Sequence, residues 1–356
     1  MPPLLRYLIK RTFFALITLL VITAVLYGTV MLTPAETRAT LYLPPNLPSR
    51  MTEEQYQNLI DQIIKRNHLN APYPVQYYYW VTNLAQGNWG YSPTLGEDVL
   101  TAITRRTPAT AELTIYSILL FIPLGLISGV VAGSKQHKPA DHSFRLTAFV
   151  ATSLPPFILA LFLLAIFYVG LYWFAPGRTS LALGLEISSG EFRQITGLLT
   201  IDGLLNKRPD ISLDAVRHLV LPVFTLAIAH WATLGRMTRA TMIEELKKEY
   251  VIAAKARGIP GKRIVWRHTL RNAIAPALTS SMLSAASLLT GVYVVEIIFN
   301  FHGISEIAVR SMEFTPDAPA ALGFAIYSVM AVLVLMGALD LIQSSLDPRI
   351  REESAS

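Results

Sequence analysis

No cysteine occurs among the 356 residues, which excludes disulfide bonds, thiolate zinc sites, iron–sulfur clusters and a cysteine nucleophile. Charge is scarce as well: 15% of the chain is Asp, Glu, Lys or Arg against 52% hydrophobic types, where a soluble domain carries about a quarter charged. Mean hydropathy is +0.43, and that balance excludes a soluble enzyme or a disordered chain. Motifs that bear chemistry are missing too. The only Gly-Lys pair, Gly261 and Lys262, is followed by Arg263, so no phosphate-cradling G-x-x-x-x-G-K-[ST] loop exists. Neither H-E-x-x-H nor G-x-S-x-G occurs, which leaves no expected catalytic residue, metal site or resident cofactor.

What the chain does have is long uncharged apolar runs. A hydrocarbon layer about 30 Å thick is crossed by about 20 apolar residues in a helix. Six runs without Asp, Glu, Lys or Arg meet or approach that length: Thr12 to Leu32, Leu113 to Gly133, Leu146 to Ala175, Leu219 to Gly235, Ala273 to Val295, and Ala318 to Leu339. The first follows Arg6, Lys10 and Arg11 like a signal peptide, but its apolar stretch far exceeds the roughly 7 to 15 residues of a cleavable one, so it reads as an uncleaved anchor.

Six crossings place both termini on one side. Residues 1–11, 134–145, 236–272 and 340–356 carry 18 positive and 8 negative side chains, whereas 33–112, 175–218 and 296–317 carry 12 and 16. Basic loops stay in the cytoplasm, so the first set, with both termini, is cytoplasmic. The excess charge of +6 is thereby a topology signal, and no nucleic-acid partner is expected.

The outer segment 33–106 is too long for a plain connection and should fold into a small helical domain. Thr52 with Gln55 forms a capping-box pattern before Leu59, Ile60, Ile63 and Ile64, and a second helix is predicted over Val75 to Leu84. Tyr77, Tyr78, Tyr79, Trp80, Trp89 and Tyr91 fit packing or the headgroup interface better than a ligand site. The segment from Pro176 to His218 reads as looser.

The cytoplasmic stretch Arg236 to Asn272 holds ten positive and three negative residues. Its period predicts one amphipathic helix, with Ile243, Leu246, Tyr250, Ala253 and Ala254 on one face and Glu244, Lys247, Lys248, Val251 and Lys255 opposite, and an ion pair between Glu244 and Lys248. Gly258, Pro260 and Gly261 then stop it. A helix lying in the lipid interface has the same pattern.

Tyr250, Val251, Ala253, Ala254, Lys255, Ala256, Arg257 and Gly258, then Arg267, His268, Leu270, Arg271, Asn272, Ala273 and Pro276, resemble the cytoplasmic signature loop of binding-protein-dependent ABC-importer permeases, in the dipeptide and oligopeptide branch. The likeness extends over roughly Leu4 to Arg351 through Gly87-Asn88-Trp89-Gly90-Tyr91-Ser92, Arg106 to Glu112, Ser153 to Phe157, Arg217 to Pro222, Val295, Glu296, Phe299, Asn300 and Gly303, and Leu346 to Arg349. Ile252 stands where the wider family has an acidic residue, and Glu313 to Ala320 departs from the usual connection.

This resemblance implies an all-α polytopic membrane protein with six transmembrane helices, a small extracytoplasmic domain after the first, and a cytoplasmic coupling-helix loop. The segments are 1–32, the N-terminus and first span; 33–106, the outer domain; 107–351, the core permease domain with five spans and coupling loop 236–272; and 352–356, a cytoplasmic tail. It implies an import subunit for di- or oligopeptides in a bacterial or archaeal plasma membrane, working with a homologous second permease, two ATP-binding subunits and an extracytoplasmic solute-binding protein. ATP and magnesium would sit on the ATPase subunits. Leu246, Glu249, Tyr250, Ala253, Ala254, Arg257 and Gly258 are the implied ATPase-coupling residues. Importers of nickel complexes or oligosaccharides are alternatives within the branch, and Gly197 to Gly203 favours peptides; a membrane scaffold without ATP coupling is the alternative outside it.

Ionisable and backbone-breaking residues at membrane depth are pathway candidates: His230, Glu112, Glu296, Pro155 and Pro156. The two glutamates fall at outer ends of spans, where water is expected to reach them. Arg263, Arg267 and Arg271 are spaced to share a face that fits lipid phosphates.

Overall fold

The computed structural model describes residues 3–44, 51–190, 192–313 and 317–346, with side chains except at 3–5, 7–8, 275–286 and 342–346. In chain order the helices are α1 (Pro3–Val30), α2 (Ala35–Ala39), α3 (Glu53–Arg66), α4 (Tyr73–Ala85), α5 (Val99–Ser134), α6 (Pro139–Ser153), α7 (Pro156–Leu163), α8 (Leu181–Ser188), α9 (Leu199–Leu205), α10 (Pro209–Glu245), α11 (Glu249–Ala256), α12 (Gly261–Arg263), α13 (Leu270–Ile298), α14 (Ser305–Glu313) and α15 (Ala318–Leu346). A two-residue antiparallel pair, β1 (Tyr91–Ser92) and β2 (Glu97–Asp98), precedes α5. The chain divides into two compact units, Met1–Thr107 with Ile304–Val334, and Pro108–Gly303 with Leu335–Ser356.

Among the described residues four helices are long and apolar enough to cross a membrane: Ile9–Val30, Val99–Ser134, Pro209–Glu245 and Ala318–Leu341. A fifth arises if α6 and the Pro156–Gly170 segment count together, bent by 97°. The expected run Ala273 to Val295 falls in the 29-residue α13, whose residues 275–286 lie outside the described side chains. The expected third span, Leu146 to Ala175, is broken at its paired prolines, and its bounds are corrected: the helix begins at Pro139, ends at Ser153, and resumes at Pro156 before a π-helical stretch, Leu164–Gly170. Pro155 and Pro156 supply no backbone donors, and Pro155 is extended (φ −55°, ψ 141°), so the break is where the hydrogen-bond ladder must fail. The short fourth run is the middle of a 37-residue helix, α10, about 56 Å long.

In the first unit the capping box forms as expected: Thr52 accepts from the Gln55 amide and the Gln55 side chain from the Thr52 amide. The helix it starts buries Ile60, Ile63 and Ile64 against Ala39 and Leu69. α4 lies on α1. Buried Tyr27 stacks on Trp80 at 4.8 Å, Tyr73 donates to the Ala24 carbonyl at 2.6 Å, and Tyr77 to that of Leu20 at 2.9 Å. Half of the aromatic run is therefore packing, while Tyr78 and Tyr79 stay exposed.

In the second unit α10 is the centre, touching α6, α7, α9 and α13. Leu113, Phe121, Leu226, Leu234, Leu288, Val292, Val295 and Phe299 form its core. α5 meets α10 along Gly125, Gly129 and Gly133, one turn apart. A β-carbon on Gly129 would lie 2.6 Å from both the Gly235 carbonyl and Thr238, and one on Gly133 2.7 Å from Met242. Between apolar helices in lipid, close backbone contact of this kind supplies the packing energy that a hydrophobic driving force cannot.

Candidate functional site

The loop after α10 is not one helix from Ile243 onward, which corrects the expected amphipathic pattern. α10 carries Ile243 and stops at Glu245; the chain turns through Leu246 to Lys248, whose backbone is extended (φ −71°, ψ 153°), and α11 restarts at Glu249. The turn resets the helical phase. Val251, expected outside, is fully buried with Ala254 against Ile264, while Leu246, Tyr250 and Ile259 pack around them. Ala253, expected with Ala254, is exposed.

Glu245 braces the corner. Its carboxylate takes the Lys248 ammonium and, at 2.8 Å, the Tyr250 hydroxyl. The expected Glu244–Lys248 pair is replaced by this one because the break brings Lys248 back over the last turn of α10. Hydrogen bonding to Glu245 holds the Lys248 ammonium above the ordinary lysine range, and burial pushes the Tyr250 hydroxyl up.

The far end of α11 closes with a Schellman motif: Gly258 N–H donates to the Lys255 carbonyl at 2.9 Å and Ile259 N–H to that of Ala254 at 3.1 Å. Gly258 has φ +73°, a conformation in which an L side chain is strained. What remains outward is a short, firmly held surface of Glu249, Ile252, Ala253, Lys255, Ala256, Arg257 and Gly258. Ile252 is 60% exposed at its centre. Of the coupling residues read from sequence, Glu249, Ala253, Arg257 and Gly258 are on this surface, whereas Leu246, Tyr250 and Ala254 hold the helix to its own chain. Arg263, Arg267 and Arg271 are exposed, but a π-helical stretch, Ile264–Thr269, interrupts their spacing.

Both pathway glutamates are shut off from water, contrary to the expected exposure. Glu112 is 2% exposed; it receives Arg178 at 2.7 Å, the Thr200 amide at 2.9 Å and the Thr200 hydroxyl at 2.7 Å. Glu296 is 1% exposed, accepts from the Thr110 hydroxyl, and lies where a β-carbon on Gly303 would have to be. Asp202, fully buried, accepts from Thr196 and the Gly197 amide. The described residues of the segment Pro176 to His218 are thus tied down by hydrogen bonds at Arg178, Thr196, Gly197, Thr200 and Asp202 rather than forming a loose loop. His230 is half-buried, its ring 5.5 Å from that of Phe121, and makes no hydrogen bond among the described residues. Pro155 and Pro156 mark the 97° bend.

Three arrangements escaped sequence reasoning. Asp317, 4% exposed, caps α15 through the Ala320 amide at 3.0 Å and takes the Ser92 and Thr94 hydroxyls at 2.6 and 2.7 Å; an Asp just before Ala-Pro was the signal. The glycine stripe of α5 was legible as glycines four apart. The bidentate pair of Arg239 with fully buried Asp141, at 2.5 and 2.8 Å, had no local signal. Among the described residues no group of three or more His, Asp or Glu could hold a metal ion.

The family described as binding-protein-dependent transport system inner membrane component matches residues 121–352. The di/tripeptide transport system permease protein DppB of Pseudomonas aeruginosa (strain UCBPP-PA14) is 34% identical over 82% of this chain and 85% of its own length. The probable D,D-dipeptide transport system permease protein DdpB of Escherichia coli (strain K12) is 31% identical over 87% and 90%. The oligopeptide transport system permease protein AppB of Bacillus subtilis (strain 168) is 31% identical over 97% and 98%. With more than half its length matched and relatives of this identity covered nearly end to end, the chain belongs to the family of inner membrane components of binding-protein-dependent transport systems.

Proposed function

We propose that this permease subunit imports di- or oligopeptides handed over by an extracytoplasmic binding protein, and that α11 is the helix through which two partner ATPase subunits drive it. The observation that carries this reading is the outward face of α11: an exposed Ile252 among small residues, on a helix pinned at one end by Glu245 and capped at the other by Gly258. Such a rigid, partly apolar patch fits a partner groove. The names of the relatives, which specify di/tripeptide, D,D-dipeptide and oligopeptide transport, support the substrate class.

In this reading the chain crosses the membrane six times, with α13 and the bent α6–α7 pair completing the four unbroken spans, and the charge asymmetry puts both termini and α11 in the cytoplasm. A homologous second permease completes the pathway. ATP with magnesium is hydrolysed on the partner subunits; closure of those subunits moves the α11 helices, and α10, to whose end α11 is braced, carries the movement into the bundle. Glu112 and Glu296 serve as anchors of the outer segments; His230, Pro155 and Pro156 are the remaining pathway candidates.

Reconstitution of the permease pair with the ATPase subunits and a peptide-loaded binding protein tests this. ATP-dependent uptake of a labelled dipeptide is expected. Uptake of nickel or an oligosaccharide alone overturns the substrate class, and failure to co-purify with any ATPase overturns the coupling role.

A further inference from the structure

The cytoplasmic ends of α6 and α10 enclose an open concavity lined by His142, Arg145, Leu146, Phe149, Arg236 and Arg239. The buried pair of Asp141 and Arg239 ties the two helix ends together, so these side chains share one level. Arg239 is spent on that pair. Arg145 and Arg236 are exposed, and among the described residues neither makes a side-chain hydrogen bond or ion pair. The local balance is three guanidinium groups against one carboxylate.

The apolar part of the lining lies on one side only. α6 runs from its Pro139 end into the apolar stretch, so Phe149, four residues beyond Arg145, lies about 6 Å deeper along the same face. Leu146 and Phe149 are 66% and 68% exposed. Two unpaired cationic forks at the boundary, with uncovered apolar side chains directly below, match an amphiphile with an anionic head and a hydrocarbon tail. A soluble anion would have no use for Leu146 and Phe149, and an acidic protein surface would leave them bare.

We propose that this concavity binds one anionic phospholipid, its phosphate held by Arg145 and Arg236 and one acyl chain laid along Leu146 and Phe149. Guanidinium forks suit phosphate oxygens, and basic pockets between helices on the cytoplasmic side are suited to anionic headgroups. Occupancy would fix α6 against α10, the helix that ends at the α11 corner. The inference rests on membrane insertion and not on what the permease transports.

The test is native mass spectrometry of the assembled importer after equilibration with phosphatidylglycerol, with phosphatidylcholine, or with water-soluble glycerol 3-phosphate. Phosphatidylglycerol is expected to be retained and the other two not. Each arginine contributes about fivefold, so Arg145→Gln with Arg236→Gln lowers retention about 25-fold, while Arg145→Lys with Arg236→Lys keeps most of it. Equal retention of phosphatidylcholine, undiminished retention in the double glutamine variant, or glycerol 3-phosphate binding as tightly as the lipid overturns the proposal. So does a glutamine variant that sheds a protein subunit while keeping its lipid, because the surface would then belong to a protein partner.

Discussion

Replacing Ile252 with alanine separates a docking surface from a merely exposed side chain. Full burial of an isoleucine side chain stabilises by about 1.5–3 kcal/mol. Ile252 is 60% exposed in the chain alone, so about 1–2 kcal/mol remains to be gained when a partner covers it, and less than about 1 kcal/mol supports the fold. Ile252→Ala should therefore weaken binding of the ATPase subunits about five- to thirtyfold and leave thermal unfolding almost unchanged, since alanine is the better helix former. Val251 is the internal control. It is fully buried beside Ile264, and Val251→Ala should cost about 1.6 kcal/mol of stability from two lost carbons. The assay is titration of purified ATPase subunits onto the permease pair in nanodiscs, with unfolding followed in parallel. A dissociation constant for Ile252→Ala within twofold of the parent would refute the assignment of this face.

Gly129→Leu should prevent α5 from seating on α10 and destabilise by at least the 1–3 kcal/mol or so typical of overpacking, read as a lower unfolding temperature; an unchanged value would mean that the two helices do not touch there. Glu112→Gln leaves Arg178, 21% exposed, without its carboxylate, costing about 3 kcal/mol, and trypsin should then cut faster at Arg193 and Lys207; equal cleavage rates would deny the anchoring role. Gly258→Trp should leave insertion intact and abolish uptake, through left-handed strain of about 1–2 kcal/mol and the bulk of the ring, whereas Gly258→Asn, which tolerates that backbone, should retain much of it; full uptake by the tryptophan variant would count against a seated helix tip.

Local chemistry was readable directly from the chain. The Thr52 and Gln55 capping box and the α4 helix appear as expected because each depends on residues within one or two turns. The α11 segment shows the limit. No glycine or proline marks the turn at Leu246 to Lys248, and a periodicity read across it assigns Val251 and Ala253 to the wrong faces. Glu112 and Glu296 were misplaced for another reason: their partners, Thr200 and Thr110, lie 88 and 186 residues away, so hydropathy could place them near a membrane boundary but could not show that distant parts of the chain close over them. The Pro155–Pro156 break was visible, whereas nothing in the local sequence gave its 97° angle.

Because the chain contains no cysteine, a single Ala253→Cys substitution gives an unambiguous reporter on the outward face of α11. The rate of its modification by a membrane-impermeant maleimide, measured on the permease pair in nanodiscs with and without the ATPase subunits, tests the central claim most directly. Rapid modification of the pair alone and strong protection once the ATPase subunits are added is the predicted result. Protection by the bilayer alone, or the same rate in both states, would contradict it.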